Sequence, residues 1–152
     1  TQLAIGTSRG PANPRLTAKR TGQVSLWDGE ALRKLHEFQV SDPVSGLVYA
    51  PDGRTVMAAD TGGHLSIWET ESGKLRNVLP EKLLPTALAF SRRGRLALST
   101  MKNAIQLLDL ARTPQEFREI GVHTAHIHAL AFNPDGTRLA SAGLDGAVRI
   151  WD

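Results

Sequence analysis

The sequence predicts an all-β protein assembled from repeated antiparallel sheets, and three observations carry that expectation. A five-residue pattern recurs as Val-Ser-Leu-Trp-Asp (24–28), Leu-Ser-Ile-Trp-Glu (65–69), Ile-Gln-Leu-Leu-Asp (105–109) and Val-Arg-Ile-Trp-Asp (148–152), so its anchors Trp27, Trp68, Leu108 and Trp151 step by 41, 40 and 43 residues. The turn glycines Gly53, Gly94 and Gly136 step by 41 and 42. Between these markers the apolar runs are short and are closed by hairpin chemistry, such as Pro51-Asp52-Gly53, Gly62-Gly63, Pro134-Asp135-Gly136 and Asp145-Gly146. Two independent markers sharing one period of about 40–45 residues match the four-stranded blade of a β-propeller, whereas helical repeats of that length require apolar spacing near 3.6 residues.

Each strand follows from that frame. Gln2–Gly10 aligns with Arg138–Gly146 and is expected to be the second strand of a blade. The segment between Gly10 and Gly22 is about a dozen residues longer than the matching turn elsewhere; its two prolines and low apolar content predict an exposed loop inserted into the hairpin, since hairpin loops span about 2–5 residues. Gln23–Asp28 and Ala31–Phe38 are the third and fourth strands. The second repeat is complete, with strands at Val44–Ala50, Thr55–Ala59, His64–Glu69 and Lys74–Leu79. The third runs Thr86–Ser91, Arg95–Ser99, Ala104–Leu108 and Glu116–Val122, with weakened turn chemistry at Arg92-Arg93-Gly94 and Lys102-Asn103. Repeat boundaries fall at 1–39, 40–80, 81–122 and 123–152, about three and a half blades in fourteen strands.

The last thirty residues carry the most specific signal. His123, Leu130-Ala-Phe-Asn-Pro-Asp-Gly136, Ser141, Asp145-Gly146 and Val148-Arg-Ile-Trp-Asp152 together resemble one repeat of the WD-repeat β-propeller family. The resemblance implies that His123, Ser141, Asp145 and Trp151 form a buried hydrogen-bond network tying the blade together, which suits an indole N–H and an imidazole that need partners once buried. The other repeats depart from the pattern. Val40 and Glu81 stand at the His position, Gly62 and Lys102 at the Asp position, and Leu108 replaces a Trp. The middle repeats are therefore expected to rely on packing between sheets and to be locally less stable.

Composition is that of a globular chain, with 41% apolar and 22% charged residues, and no run reaches the roughly eighteen apolar residues of a membrane helix. There is no cysteine, which excludes disulfides and thiolate metal sites within these residues but assigns no compartment. The net charge of +3 is unevenly spread. Residues 1–22 hold Arg9, Arg15, Lys19 and Arg20 with no acid, +4, leaving 14 basic and 15 acidic residues, −1, for the rest. Such a block hints at interaction rather than at fold.

Three sets of residues suggest chemistry. His123, Ser141 and Asp145 supply the residue types of a hydrolase triad, but the resemblance gives them the structural role above, and no catalytic residue is expected. His123-x-x-His126-x-His128 has a spacing that gathers imidazoles in some metal sites; strand alternation from Ile127 turns His128 away while His126 stays in the loop, so no metal site is expected. His36 and His64 read as isolated strand histidines. Thr61-Gly62-Gly63 and Ala142–Gly146 contain no Gly-x-x-x-x-Gly-Lys and lead into no helix, so they read as turns and no cofactor is expected.

The resemblance implies a non-enzymatic scaffold that presents loop faces to partner proteins. In the family, the loops joining fourth to first strands and second to third strands share one face, which here places Asp42, Thr61, Met101, His126 and Leu144 as candidate partner-binding residues, together with Arg9, Arg15, Lys19 and Arg20 of the basic insertion. The alternatives are an accessory propeller of a larger enzyme or redox protein, since one scaffold hosts many roles, and a nucleic-acid-associated module acting through residues 9–20. The absence of any aromatic residue in positions 1–22 counts against the latter, because base stacking needs one. A chain entering at a second strand and leaving at a third is expected not to close a ring alone: fourteen strands are half of a seven-bladed propeller, completed by further sequence or by a second subunit in a two-fold arrangement.

Overall fold

The computed structural model describes residues 2–9, 21–79, 83–110 and 116–152. Among them are fourteen strands: β1 (Gln2–Arg9), β2 (Thr21–Asp28), β3 (Arg33–Val40), β4 (Val44–Tyr49), β5 (Thr55–Asp60), β6 (Leu65–Glu69), β7 (Leu75–Leu79), β8 (Ala87–Phe90), β9 (Arg95–Ser99), β10 (Ala104–Asp109), β11 (Phe117–Val122), β12 (Ile127–Phe132), β13 (Leu139–Gly143) and β14 (Val148–Trp151). They form four antiparallel meanders, β1-β2-β3, β4-β5-β6-β7, β8-β9-β10-β11 and β12-β13-β14, so each sheet is a blade of the propeller type expected from the repeat period. No helix among the described residues is long and apolar enough to cross a membrane.

The register identifies β1. Leu3 faces Trp27 across β1 and β2 as Leu139 faces Trp151 across β13 and β14, so β1 occupies the second-strand place of its repeat. The inserted segment expected between the two strands lies outside the described residues, as do Arg15, Lys19 and Arg20.

Several strand limits differ from the sequence expectation by one or two residues, and one limit and one turn show the local reason. The fourth strand of the first repeat begins at Arg33 rather than Ala31, because the Asp28 carboxylate accepts the N–H groups of Glu30 and Ala31 and Leu32 takes a left-handed backbone, φ 50°. Asp28 is thereby held below the usual carboxylate range by those two backbone donors, that of Ala31 first. At Lys102-Asn103 the turn is intact because Asn103, φ 60°, adopts the left-handed conformation that Gly63 and Gly146 take in the matching turns.

The chain packs as two compact units, Thr1–Tyr49 with Gly53–Leu84, and Ala50–Asp52 with Pro85–Asp152. In the first, Val24, Leu26, Val40, Val56, Ala58 and Trp68 are buried between the two sheets. In the second, Ala89, Ala97, Ile105, Ile127 and Leu139 form the core, with Trp151 packed against it. Full burial of a Val or Leu side chain is worth about 1.5–3 kcal/mol, so each core derives from alternation along its strands rather than from any one residue.

The anchor positions show how neighbouring sheets meet. Trp68 stacks on Phe38 of the preceding repeat, ring centroids 4.9 Å apart and planes 12° from parallel. Trp151 lies on Gly121 so closely that a Cβ there would fall 2.0 Å from the indole Cζ3. Phe38 and Gly121 hold the same register position, opposite Val24 and Ile105, each three residues before its repeat's anchor.

Candidate interaction turns and the buried network

In the second unit, backbone hydrogen bonds join three of the residues singled out in the sequence. Leu144 N–H donates to His126 O at 2.8 Å, and His123 N–H donates to Asn103 O at 2.9 Å, which ties the His126 loop to the turn carrying Leu144 on one side and to the turn carrying Met101 on the other. The tips of both turns are apolar and exposed, Met101 at 62% and Leu144 at 73%. In the first unit Thr61 N–H donates to Pro43 O at 2.8 Å, so Asp42 and Thr61 lie on a loop and a turn joined in the same way. Arg9 ends β1.

The structure brings His123, Ser141, Asp145 and Trp151 together beneath the second of these turns. His123 Nδ1 lies 2.9 and 3.0 Å from the two Asp145 carboxylate oxygens, so it carries the proton and donates. Nε2 is then free to accept from the Ser141 hydroxyl at 2.8 Å, and Ser141 Oγ accepts from Trp151 Nε1–H at 2.8 Å. Donation runs in one direction, from Trp through Ser and His to Asp. Asp145 also accepts N–H groups from Ala147 and Thr124. The His123 hydrogen bond is the largest of the influences that hold the Asp145 carboxyl far below the ordinary carboxylate range.

Those hydrogen bonds have the connectivity of a hydrolase triad, and burial decides against one. Ser141 is 2% exposed and its oxygen already receives the indole N–H, so no substrate carbonyl reaches it. The imidazole spacing at 123, 126 and 128 does not gather either: both ring nitrogens of His123 are used, and His128 is exposed on β12.

His64 corrects the sequence reading. It precedes β6 rather than lying within it, and it is not isolated: its Nδ1 lies 3.1 and 3.2 Å from the carboxylate oxygens of buried Asp60, whose Oδ1 also accepts N–H groups from Gly62 and His64. Asp60 holds the place of Gly143 in the last repeat, which is why an alignment on the Asp145 position overlooks it. The second repeat therefore has polar bonds of its own, including Thr70 Oγ1 to Gly53 O at 2.7 Å, and does not rest on sheet packing alone. Among the described residues, the side chains that gather as candidate metal ligands are Asp42, Asp60 and His64, with ligand atoms within 4.8 Å of one another.

The first repeat shows what a missing network leaves behind. Ile5 faces Ser25 where Ser141 would stand, and Trp27 Nε1 is buried without a hydrogen-bond partner.

Comparison with known proteins places these features in a family. The family model for the WD domain, G-beta repeat, matches residues 32–69 and 115–152. Periodic tryptophan protein 2 of Arabidopsis thaliana is 28% identical over 145 residues, covering 90% of this chain and 16% of that protein. Coronin-7 of Rattus norvegicus is 33% identical over 129 residues, covering 78% and 14%. A chain of a solved mitotic checkpoint complex superposes with a TM-score of 0.76 at 21% identity, covering 87% of this chain and 43% of that one, a likeness of fold. The chain thus spans less than a fifth of the length of these two relatives.

Proposed function

Because the chain belongs to the WD-repeat family, we propose that it is a non-enzymatic interaction scaffold whose turns between second and third strands engage partner proteins. WD-repeat proteins act as such scaffolds, and the fold neighbour was solved within a multiprotein complex. The observation that carries the reading is the pair of exposed apolar tips, Met101 and Leu144, each on a turn fixed by backbone hydrogen bonds to the adjoining loop. A large apolar side chain on a turn whose backbone is already fixed gains from burial without a further cost for ordering the backbone. His126 supplies a polar group on the loop adjoining these turns, and in the first unit Asp42 and Thr61 do so on a loop and turn of their own. The buried state of Ser141 and His123 supports the absence of hydrolase chemistry at that network.

The outer edge of β14 adds to this reading. Val148 and Ile150 are exposed at 72% and 62% on one face of β14, a strand with no outer neighbour among the described residues, and we propose that in the assembled protein a further antiparallel strand pairs with this edge and a further sheet packs over that face, from the same polypeptide or from a second subunit.

Affinity capture followed by mass spectrometry tests the first proposal. Proteins retained by the chain are expected to be lost from both Met101→Asp and Leu144→Asp at unchanged melting temperature. Retention of the same proteins by both variants would overturn it.

A further inference from the structure

We propose that Asp42, Asp60 and His64 form a binding site for a divalent transition metal of the Zn2+ class, clamping the β3–β4 loop to the β5–β6 turn. The three ligand atoms lie within 4.8 Å of one another and come from separate places: Asp42 from the loop, Asp60 from the end of β5, His64 from the start of β6. At metal–ligand distances of about 2.0–2.1 Å, tetrahedral donors stand about 3.4 Å apart, so closure draws the atoms together by about 1.4 Å at most, within reach of a side-chain rotation of Asp42.

Two features make this more than a cluster of acids. Asp60 is buried, and its Oδ1 already serves the turn by accepting from Gly62 and His64 N–H groups, so the carboxylate is fixed in place before any ion arrives. Position 62 is a glycine, and the space its side chain would fill is taken up by ligands: a Cβ there would lie 2.5 Å from Asp42 Oδ2 and 3.1 Å from His64 Cε1. Gly62 stands where the last repeat has Asp145. The space that the Asp145 side chain fills in the last repeat is thus occupied in the second by Asp42 from the loop, while His64, on the turn, is hydrogen-bonded to Asp60.

The donor set selects the metal. Two carboxylates and one imidazole neutralise a 2+ ion, and the nitrogen donor favours Zn2+ over Ca2+ or Mg2+, which take oxygen ligands. Water completes the shell. Ligation through His64 Nδ1 leaves the imidazole proton on Nε2, whereas ligation through Nε2 keeps it on Nδ1 facing Asp60; in either case the same loop is pinned to the same turn.

Isothermal titration of the metal-free chain with Zn2+, at fixed pH with a competing chelator, tests the site. One equivalent is expected to bind and to raise the melting temperature, with EDTA reversing the rise. Asp42→Asn and His64→Ala are each expected to weaken that equivalent by about tenfold or more, since loss even of an outer-shell partner costs about that much, with circular dichroism unchanged. A double His126→Ala/His128→Ala variant is expected to retain it, which separates the site from the other imidazoles. Absence of Zn2+ binding, or equal affinity in the wild type and Asp42→Asn, would overturn the proposal and leave Asp42, Asp60 and His64 as a metal-free polar group. Should His64→Ala fail to fold, the isosteric Asp42→Asn decides alone.

Discussion

Ser141→Ala probes the network at its centre. The hydroxyl accepts the Trp151 N–H at 2.8 Å and pairs with His123 Nε2 at 2.8 Å, so its removal leaves two buried polar groups unpaired at once. At about 1–3 kcal/mol for each orphaned group, with the half-buried indole counted at the low end, the loss is about 2–4 kcal/mol. Trp151→Phe removes the indole donor while leaving the Ser141–His123 bond, and the double variant no longer orphans an N–H. The two substitutions are therefore expected to be non-additive, the pair costing less than the sum by about 0.5–2 kcal/mol. Urea unfolding followed by circular dichroism gives all four stabilities, provided the slopes stay equal. A Ser141→Ala cost below about 0.5 kcal/mol, or strict additivity in the cycle, would refute the assigned pairing of Ser141 with Trp151 and His123.

Gly121→Ala is expected to lower stability by about 1–3 kcal/mol, the usual cost of overpacking, because the new methyl meets the Trp151 ring; an unchanged melting temperature would contradict the close approach. Asp145 makes stability depend on pH in a predictable sense. Its folded carboxyl lies far below the unfolded value near about 3.9, so its stabilising contribution is complete above that value and is lost as pH falls below it; the urea midpoint of the wild type is expected to fall between about pH 5 and pH 2 more steeply than that of Asp145→Asn. Met101→Asp and Leu144→Asp, at exposed turn tips, are expected to stay within about 0.5 kcal/mol of the parent in urea unfolding, so that any loss of partner binding is read at the surface.

The repeat period placed nearly every strand in advance, because a period-2 apolar pattern and its turn residues are local properties of the sequence. The His123–Ser141–Asp145–Trp151 group was legible for a different reason: its four members stand at the offsets of the family's repeat within thirty residues. What escaped notice depends on geometry that offsets do not carry. Asp60 and His64 form their pair two residues away from the expected acid position, in a turn whose family pattern is absent. Asn103 replaces a glycine by tolerating the left-handed region, and Leu32 adopts it under the pull of Asp28, shifting β3 by two residues. Gly121 looks like an ordinary strand residue until the indole of a later strand is found lying on it.

That last contact, set beside its counterpart at Phe38, bears on how such an array can evolve. In each compact unit the anchor Trp of one repeat reads a single position on the final strand of the repeat before it: Trp68 meets a phenyl ring face to face, and Trp151 meets a bare backbone. The two solutions exclude each other, since a phenyl at 121 would collide with the indole and a glycine at 38 would strand Trp68 beside a void. Duplicating or shuffling one repeat without its predecessor therefore mismatches the junction. The order of the repeats is written into pairs of residues about 30 positions apart, and the unit that selection can copy is a repeat together with the strand it leans on.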